Sequence, residues 1–338
     1  MIIWINRIES MNQFMLKPQN RSSAMNTVMP MKMTNRQLET PVAFLVFNRP
    51  DATARVFEAI RAARPPRLLV VADGPRVDRP GDTEKCQATR AILQRVDWPC
   101  EVLTNYSDVN LGCKGRVSSG LDWVFRNVEE AIILEDDCLP HPTFFRFCEE
   151  LLEKYRDDER VMMISGDNFQ FGNKRTPYSY YFSHFTHIWG WASWRRAWKY
   201  YDVNMKLWPE IRDHGWLYDV MGNARSAEYW SGIFNKVYDN KINTWDYQWT
   251  FACWVQNGLT VLPNNNLISN IGFYHEATHT STIISPFANM ETKPMIFPLS
   301  HPPYMIRDSV ADSYTTKRMF LLPSLLFRVM NKMRRFLK

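Results

Sequence analysis

No GxxxxGKS/T loop occurs in this 338-residue chain, and no GxGxxG turn follows a strand pattern. Those absences exclude phosphate-loop nucleotidases and dinucleotide dehydrogenases. There is also no Gly-x-Ser-x-Gly elbow to present a serine for acyl transfer. The six cysteines, Cys86, Cys100, Cys113, Cys138, Cys148 and Cys253, make no CxxC pair and no zinc-like spacing, which fits a reduced, cytoplasmic setting and forces no disulfide. No apolar run reaches the roughly 18 residues of a spanning helix. Internal repeats and low-complexity tracts are absent. The net charge of +6 gathers at the ends without a basic stripe across the middle, so no nucleic-acid partner is expected. Residues 1–40 lack the apolar core of a signal peptide and read as a poorly ordered leader.

What the chain does have is material for a large core, with 45% hydrophobic residues, 14% aromatics and 13 Trp. Many of the rings cluster between Tyr178 and Trp254, more densely than a core alone usually requires, and sugar faces stack on such rings. After the leader, strand and helix signals alternate: Val42–Phe47, a helix over 51–63, Leu68–Ala72, a helix over 82–95, Glu101–Asn105 and a helix over 114–127. An acidic strand at Ala131–Glu135 and a helix over 142–155 follow. This is βαβ grammar, and it predicts an α/β fold with a mostly parallel central sheet. Beyond Val161–Ser165 the pattern turns aromatic, with a strand at Tyr178–Ser183 and helices over 193–200 and 224–240. The expected organisation is a nucleotide-binding half at 41–165, an acceptor and catalytic half at 166–285, an extended wrap at 286–317 and a basic amphipathic helix at 318–338.

The segment Ile132-Ile133-Leu134-Glu135-Asp136-Asp137 is a buried-strand pattern that ends in three acids. In α/β sheets ligands bind beyond the carboxyl ends of the strands, so the acids project where a ligand is expected. Hard oxygen donors there suit Mn²⁺ or Mg²⁺ shared with a diphosphate. An acidic surface turn capping the next helix is the other reading, and on the triplet alone both stay open.

The same edge collects Asn48 and Arg49 after the first strand and Asp73-Gly74-Pro75 after the second, where an acid can accept hydrogen bonds from a nucleoside. Asp-Gly-Pro is also an ordinary turn. Lys114, in Asn110-Leu111-Gly112-Cys113-Lys114, opens a helix whose amides suit either a diphosphate or a plain helix start. Asp246, in Trp245-Asp246-Tyr247-Gln248-Trp249, sets one carboxylate among rings at another helix start, as a general base requires. His275 and His279 lie in a polar loop where one of them could complete a metal shell.

Taken together, Ile132 to Phe145, Ile164-Ser165-Gly166-Asp167-Asn168, Trp189-Gly190-Trp191 and Trp245-Asp246 resemble, in order, the motifs of GT-A glycosyltransferases. The likeness is to the N-acetylglucosaminyltransferase I type and to bacterial family 2-like enzymes, and it spans about residues 41–280. It implies a GT-A type nucleotide-diphospho-sugar transferase fold and a metal-dependent inverting transfer from a UDP-sugar to a glycan or lipid-linked acceptor, as in cell-surface polysaccharide synthesis. It further implies that Asp137 binds the metal, with His279 a looser metal match, that Glu135 and Asp136 support ribose and metal waters, and that Asp73 meets the uracil. Asp246 is then the base, and Trp189, Trp191 and Trp245 line the acceptor site. An inactive, glycosyltransferase-like carbohydrate-binding protein is the rival expectation. A sugar nucleotidyltransferase ranks lower, because Phe47-Asn48-Arg49-Pro50 is not a Gly-rich, Arg-containing loop. The C-terminal stretch places Leu322, Leu326, Val329, Met333 and Phe336 opposite Arg and Lys residues, which suits either the inner face of a membrane or docking on the protein's own core.

Overall fold

The structure, a computed structural model, describes residues 37–272 and 287–321. Ten strands fall in the described residues: β1 (Val42–Val46), β2 (Arg67–Ala72), β3 (Glu101–Tyr106), β4 (Glu130–Glu135), β5 (Cys138–Pro140), β6 (Val161–Ser165), β7 (Tyr180–Ser183), β8 (Trp191–Trp194), β9 (Leu259–Pro263) and β10 (Ile268–Asn270). Four helices sit among the first strands: α1 (Pro50–Ala63), α2 (Asp82–Ile92), α3 (Gly112–Asn127) and α4 (Thr143–Lys154). The second half adds α5 (Arg195–Trp198), α6 (Trp208–Asp213), α7 (Leu217–Met221), α8 (Ala224–Tyr238), α9 (Asp246–Val255) and α10 (Ser309–Thr315).

Eight strands form one sheet in the order β3-β2-β1-β4-β8-β6-β9-β7, to which both halves of the chain contribute. β3, β2, β1 and β4 run parallel, as do β6 and β9, whereas β8 is antiparallel to both of its neighbours and β7 to β9. β1, Val-Ala-Phe-Leu-Val, is buried at every position, as a central parallel strand covered on both faces must be. β3 lies at the edge and is exposed at alternate residues. A separate two-stranded ladder pairs β5 with β10.

The segment 191–194 is a strand, although the sequence pattern suggests a helix beginning at 193. Trp191–Trp194 fills the gap between β4 and β6 and hydrogen-bonds to both, and the helix starts only at Arg195. Pairing on two sides overrides local helical preference.

The tryptophan density also resolves into packing. Trp191, Trp194, Trp208, Trp230, Trp245 and Trp249 are among the largest fully buried side chains. Trp208, Trp230, Phe234 and Trp254 on α6, α8 and α9 form a second core, with the Trp230 ring 4.7 Å from Trp254 and 4.8 Å from Phe320. Each such ring removes on the order of 200 Å² from water, about 5 kcal/mol of transfer free energy as an upper bound.

Residues 287–321 cross the far end of the sheet. Arg307 bridges to Phe182, and Asp308 caps α10 while pairing with Arg175 at 3.1 Å. Behind it Asp312, 5% exposed, accepts the Ser183 hydroxyl at 2.5 Å. No helix among the described residues is long and apolar enough to cross a membrane. The apolar face at 322–336 lies outside the described residues, and Phe320, just before it, is buried against Phe185 and Trp230.

Candidate functional site

Because β1, β2 and β4 are parallel, their carboxyl ends share one edge, and the residues that follow them meet there. Asp136 and Asp137 form the turn from β4 to β5 and are 6% and 1% exposed. The Phe47 amide donates to Asp136 Oδ2 at 3.0 Å. Arg49 Nη1 donates to Asp137 Oδ2 at 2.7 Å and to Asp136 Oδ1 at 3.3 Å. From the other side β10 leads the Ile271 amide to the Asp137 carbonyl at 2.8 Å. A β-carbon on Gly272 would overlap the Asp137 carboxylate, so this close approach requires glycine.

Burial, with the charge of Asp137 added, pushes the Glu135 carboxyl well above its usual range. Burial likewise raises Asp136, while Arg49 opposes the shift and Asp137 adds to it. Crowded acids held by one guanidinium are electrostatically short of positive charge.

Asp73 directs its carboxylate into the adjoining loop. Its Oδ1 accepts the Gly74 and Leu111 amides, each at 2.9 Å, and its Oδ2 accepts the Gly112 amide and the Asn110 side chain, each at 3.1 Å. Burial nonetheless raises its pKa. A β-carbon on Gly74 would lie 2.5–2.6 Å from the Val109 backbone, which shows how closely this loop is drawn onto the strand end. Asn48 donates to Asp82 at 2.8 Å, and Arg76, hydrogen-bonded to the same acid at 2.6 Å, holds its carboxyl down at about 2. A cavity of about 410 Å³ lined by residues 75–81, 83 and 84 opens beside this group.

Asp246 begins α9, is 3% exposed and accepts the Thr244 hydroxyl. Lys114 joins that segment to α3: its Nζ donates to Asn240 at 2.7 Å and its amide to Asn243 at 3.1 Å. Cys113 is the second residue of α3. Burial pushes its thiol up to about 12, and Glu135, Asp246 and Asp73 all contribute. Asp246 is thus tied to the start of α3, beside the loop that Asp73 holds.

All three candidate Trp residues are buried, Trp189 at 8% exposed and packed on Phe169. Trp191 and Trp245 are 0% and 1% exposed, with ring centroids 5.8 Å apart, and they pack in the core beneath Asp246. Trp189 lies in the loop before β8, and its amide donates to Asp167 Oδ2 at 3.0 Å. His279 and His275 lie outside the described residues. Sequence reasoning gave no role to Asp82, Arg90 or Asn270, took Arg116 with Lys114 as cations that could face a diphosphate, and named Asn110 and Asp167 only within motifs. Arg90 donates to the Asp73 and Ser107 carbonyls at 3.1 and 2.6 Å, and Arg116 to the Ala72 carbonyl at 3.1 Å. No local pattern distinguishes these arginines from surface residues.

Among the described residues no group of three or more His, Cys, Asp or Glu is arranged to hold a metal ion. The donors at the triplet are hard carboxylate oxygens on Asp136 and Asp137. Such a set suits a cation of the Mg²⁺ type that completes its shell with diphosphate oxygens and water, and does not suit a cage built from protein alone.

No family model matches this chain, and no curated protein matches it in sequence. Among solved structures, a UDP-glucose pyrophosphorylase complexed with UDP-glucose aligns at 11% identity with a TM-score of 0.22, covering 39% of this chain and 64% of that one. The fold is a mixed α/β arrangement around a large, mostly parallel sheet.

Proposed function

We propose that this chain is a metal-dependent inverting glycosyltransferase that moves a hexose or N-acetylhexosamine from a UDP-sugar to a glycan or lipid-linked acceptor hydroxyl. The observation that supports it best is that two separate carboxylate groups border the carboxyl edge of the sheet: Asp136 and Asp137 follow β4, and Asp246 heads α9, whose approach is tied to the start of α3 by Lys114 through Asn240 and Asn243. One group suits the leaving diphosphate and the other the attacking hydroxyl. Asp137, with Asp136, would hold Mn²⁺ or Mg²⁺, which when bound supplies charge compensation for the departing diphosphate. Arg49 and Lys114 face the phosphates. Asp73 acts through the Asn110 side chain and the Leu111 and Gly112 amides, which it fixes. Asp246 takes the acceptor proton as the hydroxyl oxygen attacks the anomeric carbon and the bond to UDP breaks. The buried Trp191 and Trp245 set the position of Asp246, and Trp189, buried as well, is assigned to the acceptor side through the resemblance alone.

The deciding experiment is calorimetry of UDP with and without Mn²⁺, followed by a donor-hydrolysis and transfer screen. Because the protein supplies too few donors for a cage, Mn²⁺ alone is expected to bind weakly and UDP to bind at least tenfold tighter in its presence, an effect lost in Asp137→Ala. Equal UDP affinity in both conditions would remove the metal from the proposal. UDP binding without turnover of any donor would favour the carbohydrate-binding alternative. Peripheral contact of the C-terminal segment with the inner membrane face belongs to the same proposal. Flotation with anionic vesicles, comparing the full chain with one ending at Leu321, tests it while leaving the Phe320 packing intact.

A further inference from the structure

Two polar atoms beside the acid triplet lack partners among the described residues. Asp167, two residues past β6, is 1% exposed; Trp189 serves its Oδ2, while its Oδ1 meets no donor. Asn270, the last residue of β10, is 2% exposed; its Oδ1 accepts the Gly272 amide at 3.0 Å, while its Nδ2 meets no acceptor. Buried polar atoms are rarely left unpaired, because each forfeits its hydration without return.

The fold brings the two together. Asn270 pairs with Cys138 across the β5–β10 ladder, which puts their side chains on the same face. Ile268, two residues before Asn270 and so on the same face of β10, lies against Gly166, the neighbour of Asp167: a β-carbon there would fall 2.5 Å from Ile268 Cγ1. β10 itself spans the gap, since the Leu267 amide donates to the Gly166 carbonyl at 2.9 Å and the Ile271 amide to that of Asp137 at 2.8 Å. An acid on the β6 loop and an amide on β10 are thus held by the same strand that reaches the Asp137 backbone.

The chemistry of the pair selects its ligand. Three neighbouring acids disfavour a phosphate or carboxylate. A hydroxyl can donate to the carboxyl oxygen and accept from the amide in one place, satisfying both atoms. Burial raises the Asp167 pKa well above the usual carboxylate range, opposed by the Trp189 amide.

We propose that Asp167 Oδ1 and Asn270 Nδ2 together bind one hydroxyl of the sugar carried by the nucleotide, making them a specificity-determining pair for the donor. This rests on the glycosyltransferase reading above. The test is calorimetry on the full chain with Mn²⁺ and, in turn, UDP, UDP-glucose, UDP-galactose, UDP-N-acetylglucosamine and monodeoxy analogues of the donor that binds tightest. Wild type should bind one UDP-sugar tighter than UDP, and one monodeoxy analogue should lose about tenfold, the value of one well-placed hydrogen bond. In Asp167→Asn and Asn270→Ala the loss should fall on the sugar and not on UDP, and both variants should be indifferent to that missing hydroxyl. Variants that keep the sugar's contribution overturn the pair, leaving its atoms to an ordered water. Wild type that discriminates among none of the monodeoxy donors overturns it independently of whether the variants fold. Wild type that binds UDP but gains nothing from any sugar overturns the pair alone. Failure to bind UDP at all overturns the glycosyltransferase reading and the pair with it.

Discussion

Arg49 and Asp137 are joined by an ion pair of 2.7 Å in which the acid is 1% exposed and the guanidinium is the counter-charge for two adjacent carboxylates. Removing the arginine strands a buried charge. Arg49→Met should therefore destabilise the fold by about 2 kcal/mol, below the usual range for a broken buried pair because the arginine side chain keeps 26% exposure. Urea unfolding checks this, and Mn²⁺ with UDP should recover more stability in the variant than in wild type. An unchanged midpoint would show that Asp137 is held by other means.

Asp246→Asn keeps the shape of the side chain and its contact with Thr244 but cannot accept a proton at working pH. Transfer should fall by about a hundredfold to ten-thousandfold, the usual contribution of a positioned base. UDP affinity, measured on the same preparation, should stay within twofold. Retained transfer would exclude Asp246 as the base.

Asp312 provides a pH signature away from the site. Burial pushes its carboxyl up to about 7, with the Ser183 hydroxyl and Arg307 opposing. A carboxyl raised in the folded state binds its proton more tightly there than when unfolded, so its contribution to stability is present at low pH and lost as pH rises toward 7. Relative to wild type, Asp312→Asn should gain stability between pH 4 and 7, by at most about 1.4 kcal/mol per pH unit, and the difference should level off above that. Urea midpoints of both proteins across that range decide it; a flat difference would mean that Asp312 is ionised throughout.

Gly272→Ala forces a β-carbon against the Asp137 carboxylate. Either the acid or the chain leaving β10 must move, so the expected cost is about 1–3 kcal/mol in stability. Metal-assisted UDP affinity should fall at the same time. Wild-type values for both would show that the contact relaxes freely.

Much of the site was legible because its signals are local. An apolar run that stops at three acids identifies a strand end, and one acid after Trp245 at the head of a helical pattern identifies α9. The pairing of Asp73 was not legible, since its partners are amides of residues 111 and 112, some forty positions on. Nor was β8, whose identity as a strand comes from β4 and β6 on either side. The tryptophans misled for a related reason: ring density reads the same whether the faces point outward to a sugar or inward to one another.

By itself the sequence determined the alternation of strands and helices, the parallel first half and the acidic edge, because periodicity and punctuation act over a few residues. Tertiary structure alone decided which groups share that edge. Arg49 meets Asp137, β10 carries Asn270 toward Asp167, and α3 ties Lys114 to the approach of Asp246. Arg49 and Asp137 are 88 positions apart in the chain and Lys114 and Asn240 are 126, so these contacts are made only when the core packs, and no local pattern encodes them.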